Sequence, residues 1–425
     1  MSKLRDFINS RWRQILLFLS VMGPGIITAN VDNDAGGIAT YSVAGAHFGF
    51  SLLWSFIPII VVLIVIQEMA SRMAVVTGKG LADLIREEFG VKVIFYSMFV
   101  LVLANIGNVM AEFAGIAASA DLFGINRPVL IIACAFFVWW LVVKGNYKSV
   151  EKVFLGACIF YVSYIISGFI TKPDWAMISS ETLRPQFQFK GAYLVMLIGV
   201  IGTTIAPWMQ FYQQASVVEK GIKLKEYAYH RLDIIIGAFV VNIVAFFIVI
   251  VCADTLFKHG VSIETAKDAA LALKPLAGEY CYLLFAFGLF NASLFATSIL
   301  PLSTAYSVCE GMGWELGVNK SFKEAPQFYS LYTGIIIFGA AFILIPNIPL
   351  VKIMLISQVA NGVLLPFILI LMLRLINNKR LMGDLVNSRA YNLIAWATVI
   401  IMITLSLFLL FFAFFQNVQG FNVLC

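Results

Sequence analysis

The chain has 425 residues, of which 61% are hydrophobic and only 12% charged. A soluble domain carries about 25% charged residues, so these figures exclude a water-soluble fold and describe an all-α polytopic membrane protein whose constant partner is the lipid bilayer. The net charge of +6 is spread over short connecting segments, which gives no basis for a nucleic-acid partner.

A helix needs about 20 apolar residues to cross the hydrocarbon core. Eleven such runs follow in order, near 14–47, 50–76, 93–119, 127–144, 150–171, 191–218, 232–255, 279–308, 328–346, 350–375 and 391–416. The N-terminus runs straight into the first of them, with no cleavable leader. Placing that terminus in the cytoplasm puts most of the 29 basic residues on the same side, including Lys3, Arg5, Arg11, Arg13, Arg72, Lys79, Lys148, Lys152, Lys220, Arg231, Lys323, Arg374 and Arg389. The positive-inside rule therefore predicts a cell-membrane protein with a cytoplasmic N-terminus and an extracellular tail, Asn417–Cys425. The six cysteines show no CxxC spacing and read as packing residues. No nucleotide loop, metal triad or nucleophile–base pair stands out, so the chain does not read as an enzyme.

Two runs are interrupted. The first carries Asp32 and Asp34 beside Ala35-Gly36-Gly37, and the sixth carries Gly202-Thr203-Thr204-Ile205-Ala206-Pro207. A charged side chain near the middle of a membrane costs about 2.5–3.5 kcal/mol on insertion scales, so a kept carboxylate points to a charged cargo. Broken helices five spans apart predict a transporter built of inverted repeats, here 14–172 and 191–376 with 391–416 as an addition, and an ion site at the midplane. Unwound carbonyls are tolerated there because they line protein or a cavity. Asp34 is the expected direct ligand, helped by the carbonyls of Asn33 or Thr203, with Asp32 in the outer vestibule or just behind the ligands. Gln358 and Asn361 share one helical face and either close the site from the opposite wall or hydrogen-bond between helices. Trp208 and Gln210 are candidates for the vestibule. Glu112 lies on a polar stripe with Asn105 and Asn108 and is expected to pair with Arg374 or another cytoplasmic base in a gate. Glu68 and Arg72 are spaced for a salt bridge.

The stretches Gly23-Pro24-Gly25, Ala44-Gly45-Ala46, Val75 to Arg86, Ala111-Glu112-Phe113-Ala114-Gly115 and Ser357-Gln358-Val359 together resemble the Nramp divalent-metal transporters over spans 1–10. The resemblance implies a LeuT-type fold, two inverted five-helix repeats plus an eleventh helix, with helices 1 and 6 broken. Departures from the family pattern are informative. Where the family has Asp-Pro-Gly-Asn, this chain has Asp34-Ala35-Gly36-Gly37, and where it has Met-Pro-His this chain has Ala206-Pro207-Trp208. A second family histidine aligns with Gln213, and the acid of span 3 aligns with Val109, although Glu112 is kept. This pattern is similar to the Nramp-related magnesium transporters, in which Gly37 and Ala206 would set a roomier pocket and Gln358 would supply the span-10 amide.

Ligand chemistry agrees with that branch. Thioethers suit softer transition metals, whereas Mg²⁺ takes oxygen ligands, few carboxylates and several retained waters. All three histidines, His47, His230 and His259, fall at span ends or in loops, and a proton path needs titratable groups inside the membrane. The expectation is thus a monomeric carrier of partly hydrated Mg²⁺, tolerating Mn²⁺, needing no resident cofactor and driven by membrane potential without protons. The alternatives are a proton-coupled Mn²⁺/Fe²⁺ symporter with an atypical site, or a carrier of a non-metal solute.

Overall fold

The computed structural model describes residues 31–144, 161–318 and 320–415. Residues 14–30 of the first run, with Gly23-Pro24-Gly25, lie outside the described residues, as do the basic residues before them, Lys148, Lys152 and the tail Asn417–Cys425.

Among the described residues there is no strand, and nine helices are long and apolar enough to cross a membrane. The first and fifth runs are each described in part, as α1 (Ala35–Phe48) and α5 (Val162–Ile170). Between them stand α2 (Phe56–Thr77), α3 (Val91–Phe123) and α4 (Arg127–Lys144). The sixth run is two half-helices, α6 (Gly191–Thr204) and α7 (Pro207–Lys220). There follow α8 (Tyr227–Thr255), α9 (Cys281–Met312), α10 (Pro326–Ile343), α11 (Leu350–Ile376) and α12 (Arg389–Phe415). The connections over 173–190 and 256–278 contain short helices, Trp175–Leu183 and Ala266–Ala270 among them.

Lipid-facing and core-facing sides separate cleanly. Phe95, Phe136, Ile337 and Leu393 are more than half exposed, while α6 and α7 together are almost wholly enclosed. Hydrocarbon tails are as apolar as leucine, so packing between such helices relies on small residues that bring backbones close. Three glycines do this around the breaks. A β-carbon on Gly202 would strike the Gln358 carbonyl and the Gly362 amide; one on Gly362 would meet Ile198, and one on Gly45 the Val249 carbonyl. Thus α6 crosses α11, and α1 crosses α8, at backbone contact.

Polar groups cross-link the same core. Arg72 bonds Glu68 at 3.1 Å, as its spacing predicts, and also reaches the carbonyls of Leu385 and Val386 and the side chain of Asn387. Asn108 and Asn361 exchange two amide hydrogen bonds, of 3.0 and 3.1 Å, between α3 and α11. Asn105 continues the line to Thr304 on α9.

Candidate functional site

The site grows out of two helix ends. Residues 32–34 form a turn, and α1 begins at Ala35 with Asp34 as its N-cap, φ −68° and ψ −175°. An N-cap carboxylate accepts from the amide two or three residues on; Asp34 Oδ1 accepts from Gly37 N at 2.6 Å. The break is therefore shorter than the sequence suggested. Gly36 and Gly37 belong to the first helical turn, and their amides point back at the acid.

Glu112 meets the same helix end from α3. Its Oε2 accepts from Ala35 N at 3.2 Å, and its carboxyl group lies against that of Asp34. Pairing of Glu112 with Arg374 was expected; the structure turns the acid toward the N-terminus of α1 instead, where unpaired amides and the helix dipole favour negative charge. Gln358 covers the other side of the turn, its amide packed where a Gly36 side chain would be. It accepts from Asn361 at 3.0 Å. Gly37 opens no space. A side chain there would run into the Asp32 carbonyl and the Thr203 hydroxyl, so the glycine serves a close approach of the two breaks rather than a wider pocket.

The sixth-helix break supplies the facing wall. Ile205 and Ala206 leave helical geometry, and Pro207 opens α7 at the position where its missing N–H costs nothing. Thr203 and Thr204 end α6, and the Tyr41 hydroxyl bonds Thr204 at 2.8 Å, tying this end to α1. Gln210 reaches back to the Ala206 carbonyl at 3.4 Å. Trp208 is buried against Tyr212 rather than open to a vestibule.

Two features escaped the reading of the sequence. Met209, one turn into α7, folds its thioether back so that Ala206 N donates to Sδ at 3.3 Å; a sulfur does stand at this break, three residues from the position where one was looked for. His230 is at a helix start, as expected, yet its ring faces inward. It lies 3.1 Å from Ser71 Oγ, 3.3 Å from the Gln213 amide and 3.6 Å from the Asp233 carboxylate. The i+3 spacing from Ala206 could have revealed Met209. Nothing local marks the direction of His230.

What the breaks lack is donors. Both carboxylate oxygens of Asp32, the side-chain oxygen of Asn33, Glu112 Oε1, Thr203 Oγ1 and Gln210 Oε1 are buried and accept no hydrogen bond. Each unsatisfied buried acceptor costs about 1–3 kcal/mol. Cations, or the water they carry, would supply what such oxygens need. Among the described residues no three of His, Cys, Asp and Glu converge; the breaks offer a few carboxylates and neutral oxygens, with the Met209 sulfur beside them.

The family described as natural resistance-associated macrophage protein-like (Nramp) matches residues 25–412. The divalent metal cation transporter MntH of Bacillus subtilis is 25% identical over 419 residues, covering 96% of this chain and 95% of that protein. The transporter of the same name from Yersinia enterocolitica is 27% identical over 403 residues, covering 92% and 95%. A manganese transporter from Eremococcus coleocola superposes with a TM-score of 0.77 at 21% identity, over 98% of this chain and 93% of that one.

Proposed function

This chain belongs to the Nramp family of divalent metal transporters, and on that premise we propose that it is a carrier of partly hydrated Mg²⁺, tolerating Mn²⁺, that works by alternating access without protons. The observation that carries the reading is the surplus of donorless oxygens at the two breaks. Mg²⁺ sheds water reluctantly and is held by one or two carboxylates with waters retained; those waters are hydrogen donors, which is what the lining lacks. Asp34 anchors the ion, with the Asn33 carbonyl, Thr203 and Gln358 contributing oxygens and Ala206 keeping a larger side chain away from it. Asp32, Gln210, Asn361, Trp208 and Glu112 surround this set. The two repeats, 14–172 and 191–376, would rock about it. The N-terminus lies in the cytoplasm, the C-terminus outside, and the working unit is a monomer.

Protons are left out because the buried imidazole, His230, is committed to Ser71 and Gln213 rather than to either break. Membrane potential contributes about 2.3 kcal/mol per charge per 100 mV, roughly twice that for a divalent ion, which is ample for uptake. In proteoliposomes, Mg²⁺ influx should rise with an inside-negative potential while lumenal pH stays constant. Acidification in step with metal entry would defeat the proposal.

A second reading, a Mn²⁺ carrier, is favoured by the Met209 sulfur at the break and by manganese in the name of the Eremococcus coleocola transporter. The same assay decides between them: saturation by Mn²⁺ at concentrations where Mg²⁺ neither enters nor competes would establish the second.

A further inference from the structure

We propose that the first helix break holds a second hard-cation position, separate from Asp34, built from the Asp32 carboxylate and the amide oxygens of Asn33 and Asn242. It rests on the reading of the chain as a cation carrier, and it adds an ion that this reading does not require.

The two acids of the turn are treated differently by the fold. Asp34 takes the Gly37 amide and lies against Glu112 over the start of α1. Asp32 is 2% exposed, and neither of its oxygens has a hydrogen-bond donor. One ion cannot gather all three acids, because Asp32, Asp34 and Glu112 do not converge into a common ligand group. From Asp32 the chain leads toward α8. Asn33 Nδ2 donates to the Val241 carbonyl at 3.4 Å, and the Tyr161 hydroxyl fixes the Asn33 carbonyl at 2.7 Å. That leaves Asn33 Oδ1 without a donor. One residue beyond Val241, Asn242 gives its N–H to the Ala238 carbonyl at 2.8 Å, and its Oδ1 is likewise buried and donorless.

The chemistry of the ligand follows. Oxygens alone, with no sulfur or imidazole among them, select a hard cation. One carboxylate carries one negative charge, which a monovalent alkali ion neutralises. A second divalent ion would leave an excess positive charge close to the ion at Asp34, and in a low-dielectric interior that repulsion is large. Sodium is therefore the assigned occupant. Bound there, it would brace the turn of α1 against α8 and make metal uptake sensitive to sodium without any exchange of protons.

The test is ion counting on the purified full-length protein with ²²Na⁺ and with Mg²⁺, in the wild type, Asp32→Asn and Asn242→Leu. The wild type should bind one ²²Na⁺ per chain, and Asp32→Asn should raise half-saturation about tenfold or more, as the loss of a supporting group does at metal sites. Two Mg²⁺ per chain and no ²²Na⁺, with one Mg²⁺ lost in Asp32→Asn, would keep the position and change its occupant. A wild type holding one Mg²⁺ and no ²²Na⁺ overturns the proposal, as does Asp32→Asn with wild-type ²²Na⁺ binding. If Asp32→Asn fails to fold, Asn242→Leu decides instead: weakened ²²Na⁺ binding supports the position, and wild-type ²²Na⁺ binding overturns it. Unimpaired Mg²⁺ uptake by Asp34→Ala would sink the carrier-site reading and leave the sodium count untouched, so the two failures are distinguishable.

Discussion

Asp34 stands at the start of a helix whose first amides it shares with Glu112. Negative charge is stabilised there before any ion arrives, by the amides and by the dipole of α1. Asp34→Ala should reduce metal uptake to background in liposomes while the protein remains monodisperse, since the cap it removes is worth only about 1 kcal/mol. Ala206→Met should raise the Mn²⁺-over-Mg²⁺ uptake ratio by about tenfold, equivalent to about 1.4 kcal/mol, as a thioether enters an oxygen-lined site. An unaltered ratio in competition assays would mean that residue 206 does not face the ion.

At the scale of the element, the half-helices are held by close backbone contact as well as by hydrogen bonds such as Tyr41–Thr204. Gly202 lets α6 touch the backbone of α11 beside Gln358. Gly202→Val should cost at least about 1–3 kcal/mol, the usual range for overpacking, and push Gln358 off the turn at Gly36. Thermal unfolding in detergent, together with loss of uptake at temperatures where the variant is still folded, would show both effects. These breaks were legible in the sequence because glycine, proline and aspartate inside an apolar run have few structural alternatives. Their extent was less legible. Asp34 followed by Gly37 is an N-cap spacing, and reading it so would have placed Ala35-Gly36-Gly37 inside α1 from the start. The donorless oxygens could not be read at all. Whether Asp32 or Thr203 finds a partner depends on helices far away in the chain, and the inward turn of His230 toward Gln213 depends on how α7 meets α8.

On the scale of the whole molecule, two groups of polar links among the described residues join distant helices. One set lies along α3, α9 and α11, where Asn105, Asn108 and Asn361 bind helix to helix through neutral amides. The other gathers at one end of α2 around Glu68, Arg72, Tyr227 and Asn387. Neutral amides hold geometry without a charge that responds to pH, which suits the proposed proton-independent carrier. The apolar exterior needed no structure to be recognised, since composition alone demands it. The two polar groups did need one, because each unites residues from opposite ends of the chain.

Arg72 carries one more implication. Its guanidinium is anchored by Glu68 from its own helix and by three oxygens from the segment 385–387. The segment entering the final helix is thereby a keystone for the second one, although about 300 residues separate them. Cutting the chain ahead of Leu385 would strip a sequestered cation of most of its company, and the damage would surface far from the cut, at the C-terminal end of α2. The closing helix is consequently a poor place to trim or to graft a fusion partner through, even though most of its own surface merely meets lipid.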